Sequence, residues 1–171
     1  THCMLNNGEG MSEKVSPQII VLVDDEEMVL ISIRSLIELE TDYTCVPFKS
    51  ANEALEFVAS SNDISLVVSD YLMPEMDGIT FLARVRQMRP DIPRILLTGY
   101  ADKENAIKAI NEVGLFQYIE KPWDNSDLLM IFRNGLEKQQ LMRKLQEKID
   151  EINKAYGDLD SLHREIVKAF V

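Results

Sequence analysis

The residues best placed to do chemistry in this chain are an acid pair, Asp24-Asp25, and a lone acid, Asp70, 45 positions beyond Asp25. Each follows a short apolar run: Ile19-Ile20-Val21-Leu22-Val23 for the pair, Ile64-Ser65-Leu66-Val67-Val68-Ser69 for the single acid. Thr98 closes a third run, Ile95-Leu96-Leu97, and Lys121 comes just after a fourth, Phe116 to Ile119. If these runs are strands of one parallel sheet, all five side chains stand at its carboxyl edge, where such sheets bind ligands. Three carboxylates at one point repel each other unless a cation joins them, and hard oxygen donors with room for water suit Mg²⁺ or Mn²⁺. A carboxylate, a metal, a hydroxyl and an ammonium are the parts that phosphoryl transfer uses. The carboxylate attacks, and the others neutralise charge on the equatorial oxygens.

Taken singly, each residue has a plainer reading. Asp24-Asp25-Glu26-Glu27 can be an N-cap followed by acids that favour a helix N-terminus. Asp70 can be a turn former, Thr98 a strand end before Gly99, and Lys121-Pro122 a turn. The functional reading rests on the set, one group at each of four strand ends.

The elements that must position this set follow from alternating patterns. A helix is expected after the first strand, with Met28, Ile31, Leu36 and Leu39 on its apolar face. Tyr43 to Val46 reads as a second strand, and Ala51 to Ala59 as a helix capped by Ser50 or Asn52. Gly78 to Met88 is helical, stopped by Pro90 and Pro93. Asp102 to Val113 is a helix closed by Gly114, a residue type suited to a C-cap. Five strands, each followed by a helix, imply a doubly wound parallel α/β sheet over residues 17–135, with right-handed crossovers and helices on both faces.

Beyond Asp124 there is no proline, and the chain reads as one extended helix. Met142, Leu145, Ile149, Ile152, Tyr156, Leu159, His163, Ile166 and Phe170 recur at alternating spacings of three and four, a heptad seam. Residues 136–171 are therefore expected to be a coiled-coil linker that pairs as a parallel homodimer. Gly157 falls outside the seam. His163 reads as a heptad position near a helix end, because Leu162-His163-Arg164-Glu165-Ile166 lacks the proline that normally follows a phosphoryl-accepting histidine.

Composition limits the remaining choices. The 171 residues are 46% hydrophobic and 27% charged, with a net charge of -11. An acidic chain is a poor partner for nucleic acid or anionic lipid, so neither is expected to bind. No apolar run approaches the roughly 20 residues that span a bilayer. Cys3 and Cys45 read as free thiols of a reducing cytoplasm. Residues 1–16, with Met11 as an internal start, read as a disordered leader or an added remnant.

The segments Val23-Asp24-Asp25-Glu26, Ser69-Asp70-Tyr71-Leu72-Met73-Pro74-Glu75-Met76-Asp77-Gly78, Leu97-Thr98-Gly99-Tyr100 and Tyr118-Ile119-Glu120-Lys121-Pro122-Trp123 together resemble the receiver domain of two-component response regulators, in order and spacing. The resemblance implies a flavodoxin-like fold and a signalling switch phosphorylated on aspartate by a partner histidine kinase or phosphotransfer protein. Carried over residue by residue, it makes Asp70 the phospho-acceptor and Asp25 a direct Mg²⁺ ligand. Asp24 becomes a ligand acting mainly through water, and the Leu72 backbone carbonyl a further ligand. It makes Thr98 and Lys121 the partners of the new phosphoryl group and Tyr118 the aromatic switch, with Pro74 and Gly78 shaping the acceptor loop. Trp123 is read as packing under the last helix. The chain by itself is then no enzyme beyond self-directed phosphotransfer and dephosphorylation. Its output is a further domain or partner, alternatively a signalling enzyme (cyclic-dinucleotide phosphodiesterase, diguanylate cyclase or histidine kinase) or a dimerising adaptor.

Overall fold

A computed structural model describes residues 18–169 of the chain. The leader with Cys3, the side chain of Tyr100, and Phe170 at the end of the heptad seam lie outside the described residues. The elements are β1 (Ile19–Val23), α1 (Glu27–Glu40), β2 (Thr44–Phe48), α2 (Ala51–Ser60), β3 (Ile64–Asp70), α3 (Gly78–Met88), β4 (Arg94–Thr98), α4 (Lys103–Val113), β5 (Gln117–Glu120) and α5 (Asn125–Ala169), with one 3₁₀ turn at Tyr100–Asp102. The five strands form one sheet in the order β2-β1-β3-β4-β5, and every pairing is parallel. This is the flavodoxin-like α/β architecture with a long C-terminal helix.

Strand alternation divides the core into two layers. Ile20 and Leu22 of β1, with Leu66, Val68, Ile95 and Leu97, pack against α1 and α5. Val21 and Val23, with Val67 and Leu96, pack against α2, α3 and α4. β1 is therefore apolar throughout, as a strand covered on both faces tends to be, and β3 and β4 are apolar except at Ser65, Ser69 and Asp70 and at Arg94 and Thr98. β2 is an edge strand, which lets it carry Pro47 and run two residues beyond the expected Val46. Gly114 takes the left-handed conformation (φ 68°) at the end of α4, and Ser50 caps α2 by accepting from the Glu53 amide. Cys45 is buried in the α1 layer, which pushes its thiol up to about 12 and leaves it no nucleophile at neutral pH.

The structure corrects the apolar face assigned to α1. Leu30, Ile33 and Ile37 are the buried residues; of the expected face Leu36 packs against the core, whereas Met28, Ile31 and Leu39 are 71%, 51% and 83% exposed. α1 is apolar on more than one stripe, so periodicity alone does not fix its rotation. The Leu30, Ile33 and Ile37 stripe is the one that packs on the sheet.

α5 is a single helix of 45 residues. Its first part is held under the sheet by Leu128, Ile131, Phe132 and Leu136, with Trp123 packed against the same cluster. Gly135 lets it approach β3, since a Cβ there would stand 3.0 Å from the Leu66 side chain. Gln139 is the last buried residue of the described part, and Arg143 donates to the Asn62 carbonyl (3.4 Å). From Met142 onward the seam residues Leu145, Ile149, Ile152, Tyr156, Leu159 and Ile166 are all exposed. Gly157 has open space around it. Among the described residues no helix is long and apolar enough to cross a membrane.

Candidate functional site

The strand order reverses at β1, which pairs with β2 on one side and β3 on the other. Such a reversal opens a crevice beyond the strand ends. Asp24 and Asp25 leave β1 there, and Asp70 is the last residue of β3. One carboxylate oxygen from each of Asp24, Asp25 and Asp70 lies within 4.8 Å of the other two. The cleft above them, about 320 Å³, is lined by Asp25, Asp70, Leu72, Gly99, Asp102 and Lys121 among others.

Asp24 is fully buried and Asp25 is exposed, so the adjacent acids have different surroundings. Asp24 Oδ1 accepts from the Glu26 amide (2.8 Å), and the Asp24 amide donates to the Phe48 carbonyl (3.1 Å). The N-cap of α1 is Glu26, which makes no side-chain cap. The acid pair is thus no helix cap; Asp24 shapes the turn and Asp25 stands over the cleft.

Lys121 joins the two halves of the site. Its ammonium lies 3.0 Å from Asp70 Oδ1 and 3.1 Å from Asp24 Oδ2. It is aimed there by β5, whose pairing with β4 ends at Thr98 opposite Glu120, and by a hydrogen bond from the Lys121 amide to the Thr98 carbonyl (2.7 Å). Thr98 is fully buried, and its hydroxyl has no hydrogen-bond partner among the described residues. A buried hydroxyl in that state is costly unless something else takes it up. Tyr118, half-buried in register with Leu96, packs against the α2–α4 layer one strand position below Ile119.

The loop that follows Asp70 is tightly closed. The Gly78 amide donates to the Tyr71 carbonyl (2.7 Å), and Asp77 caps α3 by accepting from the Thr80 amide (2.7 Å). A Cβ at Gly78 would collide with the Asp70 carbonyl oxygen, so only glycine permits α3 to start this close to the end of β3. Leu72 exposes its side chain at the cleft edge.

Burial raises the pKa of Asp70, which the Lys121 hydrogen bond and charge only partly offset; Asp25 adds repulsion. Asp24 is also raised, first by burial, against the Glu26 amide bond and with repulsion from Asp70. For Lys121 burial opposes the charge, but the Asp70 hydrogen bond and the two nearby acids outweigh it and raise its pKa. Acids with raised folded pKa values bind more protons folded than unfolded, so their stabilising contribution is complete below 3.8 and is lost as pH rises through the raised values. Without divalent cation, Asp70→Asn should therefore flatten the fall of the melting temperature as pH rises above 3.8, relative to the parent protein. An unchanged slope in thermal scans across that range would contradict the burial effect.

A family model described as the response regulator receiver domain matches residues 20–133. The chain belongs to this family. Receivers are signalling domains that interact with histidine kinases or phosphotransfer proteins and bind Mg²⁺ through acidic residues, and the Asp24-Asp25-Asp70 cluster is of that kind. The hydrogenase transcriptional regulatory protein HoxA of Cupriavidus necator is 34% identical over 131 residues, 77% of this chain and 26% of HoxA. The C4-dicarboxylate transport transcriptional regulatory protein DctD of Rhizobium meliloti is 33% identical over 72% of this chain and 26% of its own length. The chain thus spans about a quarter of the curated relatives it matches. Among solved structures, the signal receiver domain of an HD domain-containing protein from Pseudomonas fluorescens Pf-5 is 40% identical, with a TM-score of 0.70, covering 75% of this chain and 93% of that one.

Sequence reasoning located Asp24, Asp25, Asp70, Thr98 and Lys121, and the structure brings them to one sheet edge. It missed Glu26 and Asp102, which also line the cleft, and the Phe48 carbonyl that fixes Asp24. Their contributions come from backbone position or from loop folding, which leave no signature in spacing.

Proposed function

We propose that this receiver is a cytoplasmic phosphorylation switch in which Asp70 accepts a phosphoryl group from a histidine kinase or phosphotransfer protein. The observation that carries the reading is the Lys121 ammonium held against both Asp24 and Asp70, beside a buried Thr98 hydroxyl without a partner. A carboxylate oxygen of Asp70 attacks the donor phosphorus; the new O–P bond forms as the P–N bond to the donor histidine breaks, and the electron pair leaves on the imidazole nitrogen. Asp24, Asp25, Asp70 and the Leu72 carbonyl would hold the divalent cation. When bound, it would neutralise charge on the phosphoryl oxygens during transfer.

The acyl phosphate places about -1.5 to -2 charge where a carboxylate stood. Lys121 then pairs with it, Thr98 turns its free hydroxyl towards it, and Tyr118 rotates into the space that Thr98 leaves. α5, which begins four positions after Lys121, carries the change to a paired copy and to an output. That pairing is a parallel homodimer through the Met142–Ile166 seam. The acidic chain itself has no part in nucleic-acid binding.

The test is treatment with a small phosphodonor and Mg²⁺, read by intact mass. One phosphoryl group is expected per chain, and none in the presence of a chelator. Asp25→Ala should weaken Mg²⁺ binding and phosphorylation together, without loss of metal-free stability, because it removes one exposed ligand and one like charge. Mass gain independent of divalent cation would overturn the assignment.

A second reading concerns output. The 40% identity to the receiver of an HD domain-containing protein favours a signalling enzyme, such as a cyclic-dinucleotide phosphodiesterase, over the transcriptional outputs of HoxA and DctD. Cyclic-dinucleotide hydrolysis by the product of the complete gene, with and without phosphodonor, separates the two.

A further inference from the structure

The acceptor loop, Tyr71 to Asp77, is fixed at its base by the bond from the Gly78 amide to the Tyr71 carbonyl (2.7 Å). It has a second anchor. Glu75 Oε2 accepts from Asn52 Nδ2 (2.8 Å) and from Ser50 Oγ (3.0 Å), reaching across to the first turn of α2. Ser50 in turn accepts from the Glu53 amide (3.4 Å), so its hydroxyl proton is free to point at Glu75. The carboxylate sits at the positive end of the α2 dipole, where a negative charge is favoured. α2 follows β2, whose last residue, Phe48, accepts from the Asp24 amide (3.1 Å). Glu75 therefore ties the acceptor loop to the same strand end that fixes Asp24.

Between the two anchors lie only Leu72, Met73 and Pro74, and Pro74 is locked in φ. Leu72 faces the cleft that holds Asp25 and Asp70. Its carbonyl has no strand or helix to hold it; Met73 and Met76 pack the middle of the loop on the core, and the Gly78 and Glu75 bonds fix it on either side of Leu72. From these contacts we infer that Glu75 is a positioning residue for the divalent-cation site: by pinning the loop to Ser50 and Asn52 it presents the Leu72 carbonyl and sets the affinity for Mg²⁺. The inference rests on the proposed reading of Asp25, Asp70 and the Leu72 carbonyl as ligands. A ligand held in place before binding loses less freedom on binding, and partners that orient ligands typically change metal affinity by 10–100-fold.

The test uses the full chain and Mg²⁺ alone. Glu75→Ala should raise the Mg²⁺ dissociation constant about tenfold by calorimetric titration, the low end expected for an orienting partner. Phosphorylation by a small phosphodonor should need correspondingly more Mg²⁺ for half-maximal rate, while the rate at saturating Mg²⁺ stays within about twofold of the parent. Glu75→Gln, which retains an acceptor for both donors, should recover most of the affinity. Asn52→Ala, which leaves the Ser50 cap in place, should reproduce part of the loss. Because Glu75 is exposed, the metal-free melting temperature should hardly move in any of these. Glu75→Ala with parental Mg²⁺ affinity, or with an affinity loss that Glu75→Gln fails to recover, would overturn the inference. A parent protein that binds no Mg²⁺, or binds it undiminished in Asp25→Ala, would instead defeat the reading of the site.

Discussion

Asp70→Asn is expected to abolish phosphoryl incorporation from a small phosphodonor while leaving the fold intact. The amide is nearly isosteric but is no nucleophile, so the loss should be complete rather than partial. Lys121 keeps its contact with Asp24 at 3.1 Å, and the buried site loses one carboxylate that was held partly against its ionisation. Metal-free stability should thus not fall. On the proposed reading Thr98 and Lys121 act beside the nucleophile: Thr98→Ala and Lys121→Ala leave the attacking oxygen in place and should still permit the mass gain. Intact mass and peptide mapping decide the matter. Phosphorylation of Asp70→Asn at the parental rate on another residue would remove Asp70 from the mechanism.

The second large effect concerns assembly. Met142, Leu145, Ile149, Ile152, Tyr156, Leu159 and Ile166 leave between 41% and 69% of their surface in water in the single chain. Fully burying side chains of this size contributes roughly 1.5–3 kcal/mol each, and covering the exposed half about half of that. Over the seams of two copies the sum is about 10–20 kcal/mol, set against the roughly 4–15 kcal/mol opposing association. A parallel pair places both receivers at one end under a twofold axis, so that they act symmetrically. Lys148 and Asp160 flank the seam without opposing a like charge in that arrangement. Ile152→Glu combined with Leu159→Glu should convert a dimer into a monomer in sedimentation at micromolar concentration, with Asp70 phosphorylation unchanged. A parent chain that sediments as a monomer, phosphorylated or not, would exclude the pairing and the transmission built on it.

Much of this molecule was legible before its structure. The five strands read correctly because apolar β-branched runs of four to seven residues, separated by helical patterns, admit one economical arrangement, and α3 matched its expected bounds, Gly78–Met88. The convergence of Asp24, Asp25, Asp70, Thr98 and Lys121 was legible for the same reason: in a parallel sheet every strand end lies at the same edge. The rotation of α1 was not legible, since Met28, Ile31 and Leu39 are as apolar as the residues that are buried. Strand limits shifted by one or two residues at β2, β4 and β5, because Pro47, Arg94 and Glu120 join ladders for reasons of neighbour position and not of side-chain preference. The Glu75 contacts were invisible because they join residues 23 and 25 positions apart through a loop.

The geometry of α5 has a mechanical consequence. Only Pro122, Trp123 and Asp124 separate the lysine that touches both buried acids from the start of a 45-residue rod. The helix is held under the sheet from Leu128 to Gln139 and leaves the receiver there. At 1.5 Å per residue the held part from Asn125 to Gln139 is about 21 Å, and the exposed arm from Gln139 to Ala169 about 45 Å. Under the proposed switch, a tilt of the held part would be magnified about twofold at the far end of the exposed arm.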